Sequence, residues 1–222
     1  MRLIITGCEY SGKTTLLEEL KKWAKKEMGG LRSSGHDHFV YPKAVSSDEE
    51  REKMMALPPA IKEQFQRYEI YYHLHPDFLR SNDHVMVGFH IEEAVYAPLY
   101  YEYGRPGEYA DRAVLARMIE RDLLEIAPDM VLVLMKASRE EIVKRMKEKP
   151  HMTEVIKEKD VESVLKNFDD EYEKSLITRK FVLDTTGKTI EETFNQFLKS
   201  MEPHFTLMDN IRMIRHKLSA LP

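Results

Sequence analysis

Eight consecutive residues near the start of the chain have the types and spacing of a phosphate-binding loop. Residues 7–14 read Gly-Cys-Glu-Tyr-Ser-Gly-Lys-Thr, which matches the pattern G-x-x-x-x-G-K-[ST] in full. Its glycines let the backbone wrap a polyphosphate, whose oxygens bind successive N–H groups and the positive end of a following helix. Lys13 would add a charge at the β and γ phosphates, and the Thr14 hydroxyl suits Mg²⁺.

The pattern therefore predicts a nucleotide site with Mg²⁺. ATP is the expected nucleotide, and GTP stays open as an alternative donor. Its candidate nucleotide-binding residues are contiguous in the chain: Gly7, Cys8, Glu9, Tyr10, Ser11, Gly12, Lys13, Thr14 and Thr15. A second Gly-Lys-Thr at residues 187–189 is not a second loop, because residue 182, at the position of the leading glycine, is valine.

Other short motifs separate the classes of nucleotide-binding protein. Asp184–Gly187 fits the D-x-x-G of a GTPase switch but follows the last strand-like run, and no N-K-x-D guanine motif occurs. A motor or transport ATPase would carry an apolar strand leading into Asp or Asp-Glu, whereas here the run ends in Glu92-Glu93. A kinase fits best; an ATPase or switch without a phosphoryl acceptor, and a nucleotide-binding interaction module, stay open as alternatives.

The elements that must position the loop follow from hydrophobic periodicity. Short apolar runs at residues 3–5, 85–89, 130–135 and 181–183 predict strands buried on both faces of a parallel sheet. Helical spacing predicts helices after the loop up to Gly29-Gly30 and at three further ranges, 61–74, 114–126 and 139–149. Alternating strands and helices predict a three-layer α/β/α sandwich with a mostly parallel sheet.

Composition restricts the partners. The 222 residues carry a net charge of −4 and the pI is near 6.2, which gives no electrostatic reason to expect nucleic acid. The longest apolar run, residues 130–135, is too short to span a bilayer, and the start of the chain lacks a signal-peptide core. One cysteine excludes a disulfide framework. Because the start of the chain lacks a signal-peptide core, the expected compartment is the cytoplasm.

Four segments together resemble the nucleoside and nucleotide kinase group of P-loop proteins, which includes thymidylate kinases, deoxynucleoside kinases and the uridine or nicotinamide riboside kinases. The resemblance covers roughly residues 1–200. Beyond the loop, it rests on the segment Ser34–Pro42, on Glu92–Tyr96 with Glu93 in the place of an arginine, on Val131–Arg145 and on Asp184–Thr186. It implies the P-loop NTPase fold and transfer of a phosphoryl group from ATP to a small acceptor.

The resemblance also implies roles for single residues. Asp37 would face the acceptor hydroxyl, Glu92 would lie on the Mg²⁺ side with Thr14, and Arg145 would close from a lid. The chemistry independently asks for a carboxylate that accepts the hydroxyl proton, and Asp37, soon after the first helix, is expected at the carboxyl edge of the sheet beside the loop. Arg112 and, less so, Arg117 are candidates for contacting a phosphorylated acceptor.

We expect one domain over residues 1–222. It contains an acceptor-side helical excursion at about 42–80, a lid at about 139–160 and a C-terminal helix at about 203–222. The apolar spacing of that last helix allows either packing within the chain or a homodimer seam. The Tyr-rich segments 64–72 and 100–105 are either base-recognition or packing surfaces.

Histidine and cysteine give weaker signals. His36-x-His38 and His73-x-His75 lack a third ligand and predict no metal site. The helix start after Cys8 is a place where a thiol pKa can fall, but any residue is accepted there, so no catalysis is predicted for it.

Overall fold

The computed structural model describes residues 1–31, 36–37, 47–80, 83–151 and 155–219. Within them five strands form one parallel sheet in the spatial order β2-β3-β1-β4-β5. The strands are β1 (Arg2–Gly7), β2 (His36–Asp37), β3 (His84–Val87), β4 (Val131–Lys136) and β5 (Lys180–Asp184). The predicted α/β sandwich with a parallel sheet is confirmed.

Helices alternate with the strands along the described chain. The α-helices are α1 (Lys13–Met28), α2 (Asp48–Met55), α3 (Pro59–His73), α4 (Pro76–Leu79), α5 (Phe89–Tyr96), α6 (Arg112–Ile126), α7 (Arg139–Glu148), α8 (Val161–Lys174), α9 (Ile190–Met201) and α10 (Leu207–Ser219). A π-helical turn (Ala97–Tyr101) continues α5, and short 3₁₀ turns lie at Glu158–Asp160 and Glu202–His204.

The central strands are buried on both faces, as their continuous apolar runs predict. In β1, Ile4 packs on one side of the sheet, while Leu3 and Ile5 pack on the other. In β4, Leu134 faces the first side and Val133 the second. Successive strand side chains point to opposite faces, so each strand supplies both cores. Helices α5, α6 and α8 contribute to the first core, and α1 and α9 to the second.

One boundary differs from the sequence prediction at β3. The apolar run Val85–Phe89 predicts a strand, but β3 ends at Val87 and Phe89 begins α5. Gly88 and Phe89 have φ of 83° and 61°, which turn the chain sharply at the sheet edge. Glu92 therefore lies on a helix rather than at a strand end.

The C-terminal helix packs within the chain on α1. Its inner face carries Asp209 and Arg212. Asp209 and Asp83 each lie 2.7 Å from the Met1 ammonium, and Arg212 pairs with Asp83 at 2.7 Å. These charges are buried, and each has a partner of opposite sign, which offsets part of the cost of removing them from water.

The other face of α10 is apolar and exposed. Leu207, Ile214 and Leu218 expose 75%, 58% and 62% of their surfaces. The apolar residues at 207, 211, 214 and 218 predicted either intramolecular packing or a homodimer seam, and the chain itself is held by the opposite face. In the part of the chain that the structure describes, no helix has the length and apolarity needed to span a bilayer.

Candidate active site

The loop between β1 and α1 presents its backbone to the carboxyl edge of the sheet. A side chain at Gly7 (φ 143°) would place Cβ 2.2 Å from the Met135 carbonyl oxygen, so only glycine lets the loop lie this close to β4. Gly12 (φ 96°) begins α1 without a side-chain cap, and the first helical hydrogen bond runs from Leu16 N–H to the Gly12 carbonyl.

The N–H groups of residues 13–15 thus precede the first intrahelical bond and lack helical partners. No acidic side chain lies in this first turn of α1. The positive end of the helix and these N–H groups suit a polyphosphate, so the loop fits the nucleotide that its sequence predicts.

Lys13 folds back over the loop. Its Nζ donates to the carbonyls of Gly7 (2.7 Å) and Cys8 (3.0 Å) and forms an ion pair with Glu92 Oε1 at 2.7 Å. Both side chains are almost fully buried. The structure therefore brings together the predicted phosphate-binding lysine and the predicted metal-side carboxylate.

The turn after β3 fixes Glu92. A Cβ at Gly88 would lie 2.3 Å from Glu92 Oε2, so the carboxylate packs directly against this glycine. Thr14 and Glu92 both line the same cleft. A hydroxyl and one carboxylate suit Mg²⁺, which keeps several waters and takes its other ligands from phosphates. The described residues contain no cluster of three or more His, Cys, Asp or Glu that could hold a metal without such help.

Cys8 has no catalytic environment. Burial raises the pKa of its thiol to about 12, although Lys13 acts in the opposite direction. Desolvation outweighs the effect of the lysine, so the pKa of the thiol is raised rather than lowered at this position. The nearby Tyr96 hydroxyl accepts a hydrogen bond from Glu9 N–H at 2.9 Å. This bond connects the end of α5 to the loop.

Arg145, at the end of α7, reaches the loop but is already bonded. Four of its five N–H groups are engaged: Nε donates to Glu141, Nη1 donates to the Tyr10 carbonyl (2.9 Å) and Thr185 Oγ1 (3.0 Å), and Nη2 donates to the Thr185 carbonyl (3.0 Å). Through these hydrogen bonds, Arg145 connects Tyr10 of the loop to Thr185 in the turn after β5. Arg139, the other arginine of α7, has no such contacts to the loop in the described structure.

Two residues at unspecified positions of the loop pattern, Glu9 and Tyr10, contact the segment that follows α7. Glu9 Oε2 accepts hydrogen bonds from the N–H groups of Val155 (3.1 Å) and Ile156 (2.9 Å). Tyr10 stacks on His151 with ring centroids 4.0 Å apart, and its hydroxyl accepts from His151 N–H at 2.8 Å. We call this set of contacts the Glu9–Tyr10 latch.

One cleft of about 1660 Å³ connects these groups with the helices after β2. A drug-sized ligand typically occupies a pocket of about 300–1,000 Å³, so the cleft can hold two such molecules. Its loop side includes Glu9, Tyr10, residues 12–15, Arg145 and His151. Its other side, which we call the α2–α3 wall, comprises Glu52, Met54, Met55, Ala56, Lys62, Gln66, Tyr101 and Tyr103.

The Tyr-rich segments divide between the cleft and the surface. Gln66, Tyr101 and Tyr103 line the cleft, whereas Tyr68 is 68% exposed. The π-helical turn after α5 brings both Tyr100 and Tyr101 to the cleft. An amide and several aromatic rings on one wall can hold a planar group by stacking and hydrogen bonds.

Arg112 is buried and paired, which differs from its expected contact with a phosphorylated acceptor. Its guanidinium lies 3.1 Å from Glu63 Oε1 and 3.1 Å from Glu93 Oε2, and 4.9 Å from the centre of the Tyr103 ring. Glu63 also pairs with Arg67 at 2.6 Å. Burial raises the pKa of Glu93, while Arg112 and the Tyr103 hydroxyl act to lower it. The pairs neutralise Arg112 behind the cleft wall.

Arg117 lies elsewhere. It pairs with Glu120 (3.1 Å) and Glu171 (3.4 Å), and these three residues link α6 to α8. Like Arg112, it does not line the cleft.

Asp37 is placed by its backbone alone. It ends β2 and pairs in register with Val87, which in turn pairs with Ile5. It therefore lies at the carboxyl edge, but β3 separates it from the loop strand by about 10 Å, twice the usual strand spacing. Its side chain, the rest of segment 34–42 and the start of the excursion at 42–46 lie outside the described residues.

The sequence reasoning missed the roles of Thr185 and His151 and the contacts of Glu9 and Tyr10. The phosphate-loop pattern accepts any residue at positions 9 and 10, so it carries no signal for the latch. Thr185 belongs to the segment Asp184–Thr186 on which the resemblance rests, at the carboxyl end of the last strand, where ligands bind in open α/β sheets. Its hydrogen bonds with Arg145 were not predicted.

No family model matches the chain, and no curated protein matches its sequence. Solved structures do match. Deoxyadenosine kinase from M. mycoides with bound dATP is 15% identical with a TM-score of 0.59, covering 91% of this chain and 100% of that chain. Thymidylate kinase from Candida albicans is 15% identical with a TM-score of 0.53, covering 96% and 93%.

A sugar kinase from Janibacter sp. HTCC2649 is also 15% identical, with a TM-score of 0.51 and coverage of 90% and 94%. At this identity, the similarity concerns the fold, and it extends over nearly the whole of each chain. The chain therefore has the fold of the P-loop nucleoside and nucleotide kinases, as the sequence predicts.

Proposed function

We propose that the protein is an ATP- and Mg²⁺-dependent kinase that phosphorylates a small metabolite, a nucleoside or a nucleotide. One observation carries the proposal: the phosphate-binding loop and the α2–α3 wall line a single cleft of about 1660 Å³. Phosphoryl transfer requires a donor and an acceptor in line within one water-excluding site. An ATPase needs only the loop half of such a cleft.

The residues then take distinct roles. The Lys13 side chain and the N–H groups at the start of α1 bind the phosphates of ATP. Thr14 and Glu92 would hold Mg²⁺, which would supply positive charge against the phosphates. With ATP bound, Lys13 would pair with the phosphates instead of Glu92, and the Glu92 carboxylate would be available to the metal.

Two roles concern the acceptor and the lid. Asp37, at the carboxyl edge of β2, orients or deprotonates the acceptor hydroxyl. Arg145 keeps the loop, α7 and the turn after β5 in one arrangement, and its remaining N–H is available to the nucleotide. Residues 139–160 form the lid side of this single P-loop kinase-like domain.

The test is to incubate the protein with Mg²⁺-ATP and pools of nucleosides, nucleotides and small alcohols. Mass spectrometry of the products and ADP release are then measured together. We expect a phosphorylated product and ADP release that depends on the acceptor. Acceptor-independent ADP release would instead establish an ATPase, and binding without turnover would establish an interaction module.

A further inference from the structure

Lys62 is a buried cation on the α2–α3 wall of the cleft. Only 9% of its surface is exposed, and it lines the cleft beside Gln66. Its Nζ donates to the Met55 carbonyl at 3.3 Å and lies 6.0 Å from the centre of the Tyr101 ring. Both contacts are long, so they satisfy the ammonium only in part.

The neighbouring cations differ from Lys62 in their partners. Arg112 pairs with Glu63 and Glu93, and Arg67 pairs with Glu63. Lys62, by contrast, has no carboxylate within 4 Å among the described residues, although Glu52 lines the same wall. Lysine is rarely buried without a counter-ion, because removing its charge from water is costly.

The Met55 carbonyl does not explain the burial. Met55 ends α2, and a cation near a helix C-terminus gains a modest interaction with the helix dipole. That gain is small beside the cost of desolvating an ammonium group. A solvent-exposed lysine could donate to the same carbonyl without that cost. Lys53, the lysine of α2, is exposed and pairs with the Glu49 carboxylate at the surface.

We propose that Lys62 binds an anionic oxygen group of the phosphoryl acceptor, a phosphate monoester or a carboxylate, so that the acceptor is charged. The inference rests on the proposed kinase function and narrows its substrate class. The ligand supplies, through a charge-assisted hydrogen bond, the counter-ion that the described residues lack at this point. An uncharged nucleoside would leave the ammonium buried and unpaired.

The experiment uses matched acceptors with the full-length protein. A nucleoside is compared with its 5′-monophosphate, and a nucleoside with a carboxylated base is compared with its uncharged counterpart. We expect one charged member to have a kcat/KM roughly 10- to 100-fold higher than its uncharged partner, the effect of one charge-assisted hydrogen bond. The preferred pair distinguishes phosphate from carboxylate.

Lys62→Met should raise the KM for the charged acceptor by a similar factor and leave the KM for ATP within about twofold. Lys62→Arg should restore most of the affinity, which a structural role in joining α3 to α2 would not predict. Lys53→Met removes an exposed lysine from the same wall helix, α2, and serves as the matched control.

The outcomes separate the two proposals. If the wild-type protein phosphorylates none of these acceptors, the proposed function fails. If it phosphorylates the uncharged members equally well, or if Lys62→Met leaves the KM of the charged acceptor unchanged, the inference fails while the kinase function stands. Should Lys62→Met not fold, the wild-type comparison and the shift in wild-type Tm with nucleoside monophosphate against nucleoside decide the question.

Discussion

Lys13 and Glu92 neutralise each other at the bottom of the cleft, 2.7 Å apart. The pair explains how a lysine and a glutamate can both be buried here before any ligand binds. It also means that each residue is held within reach of the phosphate and metal side. Two predictions follow from their separate roles.

Lys13→Met should lower phosphoryl transfer at least about 100-fold, because it removes a charge that stabilises the transferring phosphate. The steady-state rate of ADP formation with the identified acceptor measures this. Lys188→Met, in the second Gly-Lys-Thr, is the comparison. Lys188 also lines the cleft, but its Nζ donates to the Asp184 carbonyl and to Gln196 rather than to the loop, so the rate should change less than about threefold. Equal effects of the two substitutions would contradict the assignment of a single phosphate-binding loop.

Glu92→Gln should lower the rate about 10- to 100-fold and shift the Mg²⁺ concentration for half-maximal rate upward, because the metal side loses its carboxylate. A Mg²⁺ titration at fixed ATP measures both quantities. The exposed Glu191→Gln on α9 is the control. An unchanged Mg²⁺ dependence would limit Glu92 to its ion pair with Lys13.

The types of these residues were predictable, but their partners were not. Glycine, lysine and threonine at the spacing of the loop pattern predict phosphate binding directly. Glu92 is identifiable as a candidate acid because it follows an apolar strand. In contrast, nothing in the sequence shows that Glu63 and Glu93 converge on Arg112 from positions 49 and 19 residues away. Such pairs depend on how α3, α5 and α6 pack, which periodicity alone does not specify.

The Glu9–Tyr10 latch connects the loop to the segment after α7. Glu9→Ala removes the acceptor for the Val155 and Ile156 N–H groups. We expect amide hydrogen exchange at these two positions to increase roughly tenfold or more, since a net hydrogen bond contributes about 1 kcal/mol and two are lost. Hydrogen exchange followed by NMR or mass spectrometry measures this.

Two variants calibrate that result. Glu9→Gln keeps one acceptor oxygen and should give a smaller increase. Glu148→Ala, an exposed residue at the end of α7, should give none. Unaltered exchange in Glu9→Ala would mean that the segment is held by the Tyr10–His151 stack alone.

Glu120 joins three elements and should make the fold sensitive to acid. Its carboxylate accepts hydrogen bonds from Ser175 Oγ (2.7 Å) and Leu176 N–H (2.8 Å), and Oε1 lies 3.0 Å from His90 Nε2. Burial acts to raise its pKa, but contacts with His90, Leu176 and Ser175 outweigh burial and hold the pKa below its ordinary value of 4.5.

A lowered folded-state pKa means that Glu120 stabilises the fold above pH 4.5 and that this stabilisation is lost as the pH falls through the lowered value. The free energy of unfolding in urea should therefore fall more steeply below pH 4.5 for the wild type than for Glu120→Gln. Parallel pH profiles of the two proteins would show that Glu120 does not contribute to acid lability.

Strands β1, β3, β4 and β5 and helices α1, α3, α6, α7 and α10 were predictable to within a few residues, whereas α8 and α9 lie outside every range that the sequence pattern predicts. At β3 a turn overrides the pattern. The run Val85–Phe89 is apolar throughout, so periodicity extends the strand to Phe89. The positive φ at Gly88 and Phe89 instead starts α5 there. The contacts of the Glu9–Tyr10 latch were not predictable, because Glu9 and Tyr10 are about 140 residues from their partners.

The free energy of unfolding should depend more on the central strands, which are buried on both faces, than on the edge strand β5. Leu134 in β4 and Val182 in β5 are register partners, yet Leu134 is buried and Val182 is 40% exposed. We expect Leu134→Ala to lower the free energy of unfolding by about 2–5 kcal/mol. Val182→Ala should cost less than about 1 kcal/mol, and equal losses would contradict a core centred on β4.

The overall architecture was predictable because it depends on few signals. Buried apolar strands, intervening helices and one glycine-rich loop are enough to specify a parallel sheet covered on both sides. The order of the strands was not. It depends on which helices cross which face, and it places β3 between Asp37 and the loop, a separation that a linear pattern cannot show.

Cys8 gives the molecule an intrinsic probe. It is the single cysteine of the chain, it lies inside the phosphate-binding loop, and burial raises its pKa to about 12. Since thiolate is the reactive form, alkylating reagents and peroxide should modify it only when the loop opens. The labelling rate of the unmodified protein would therefore report loop opening directly, without any introduced dye or tag.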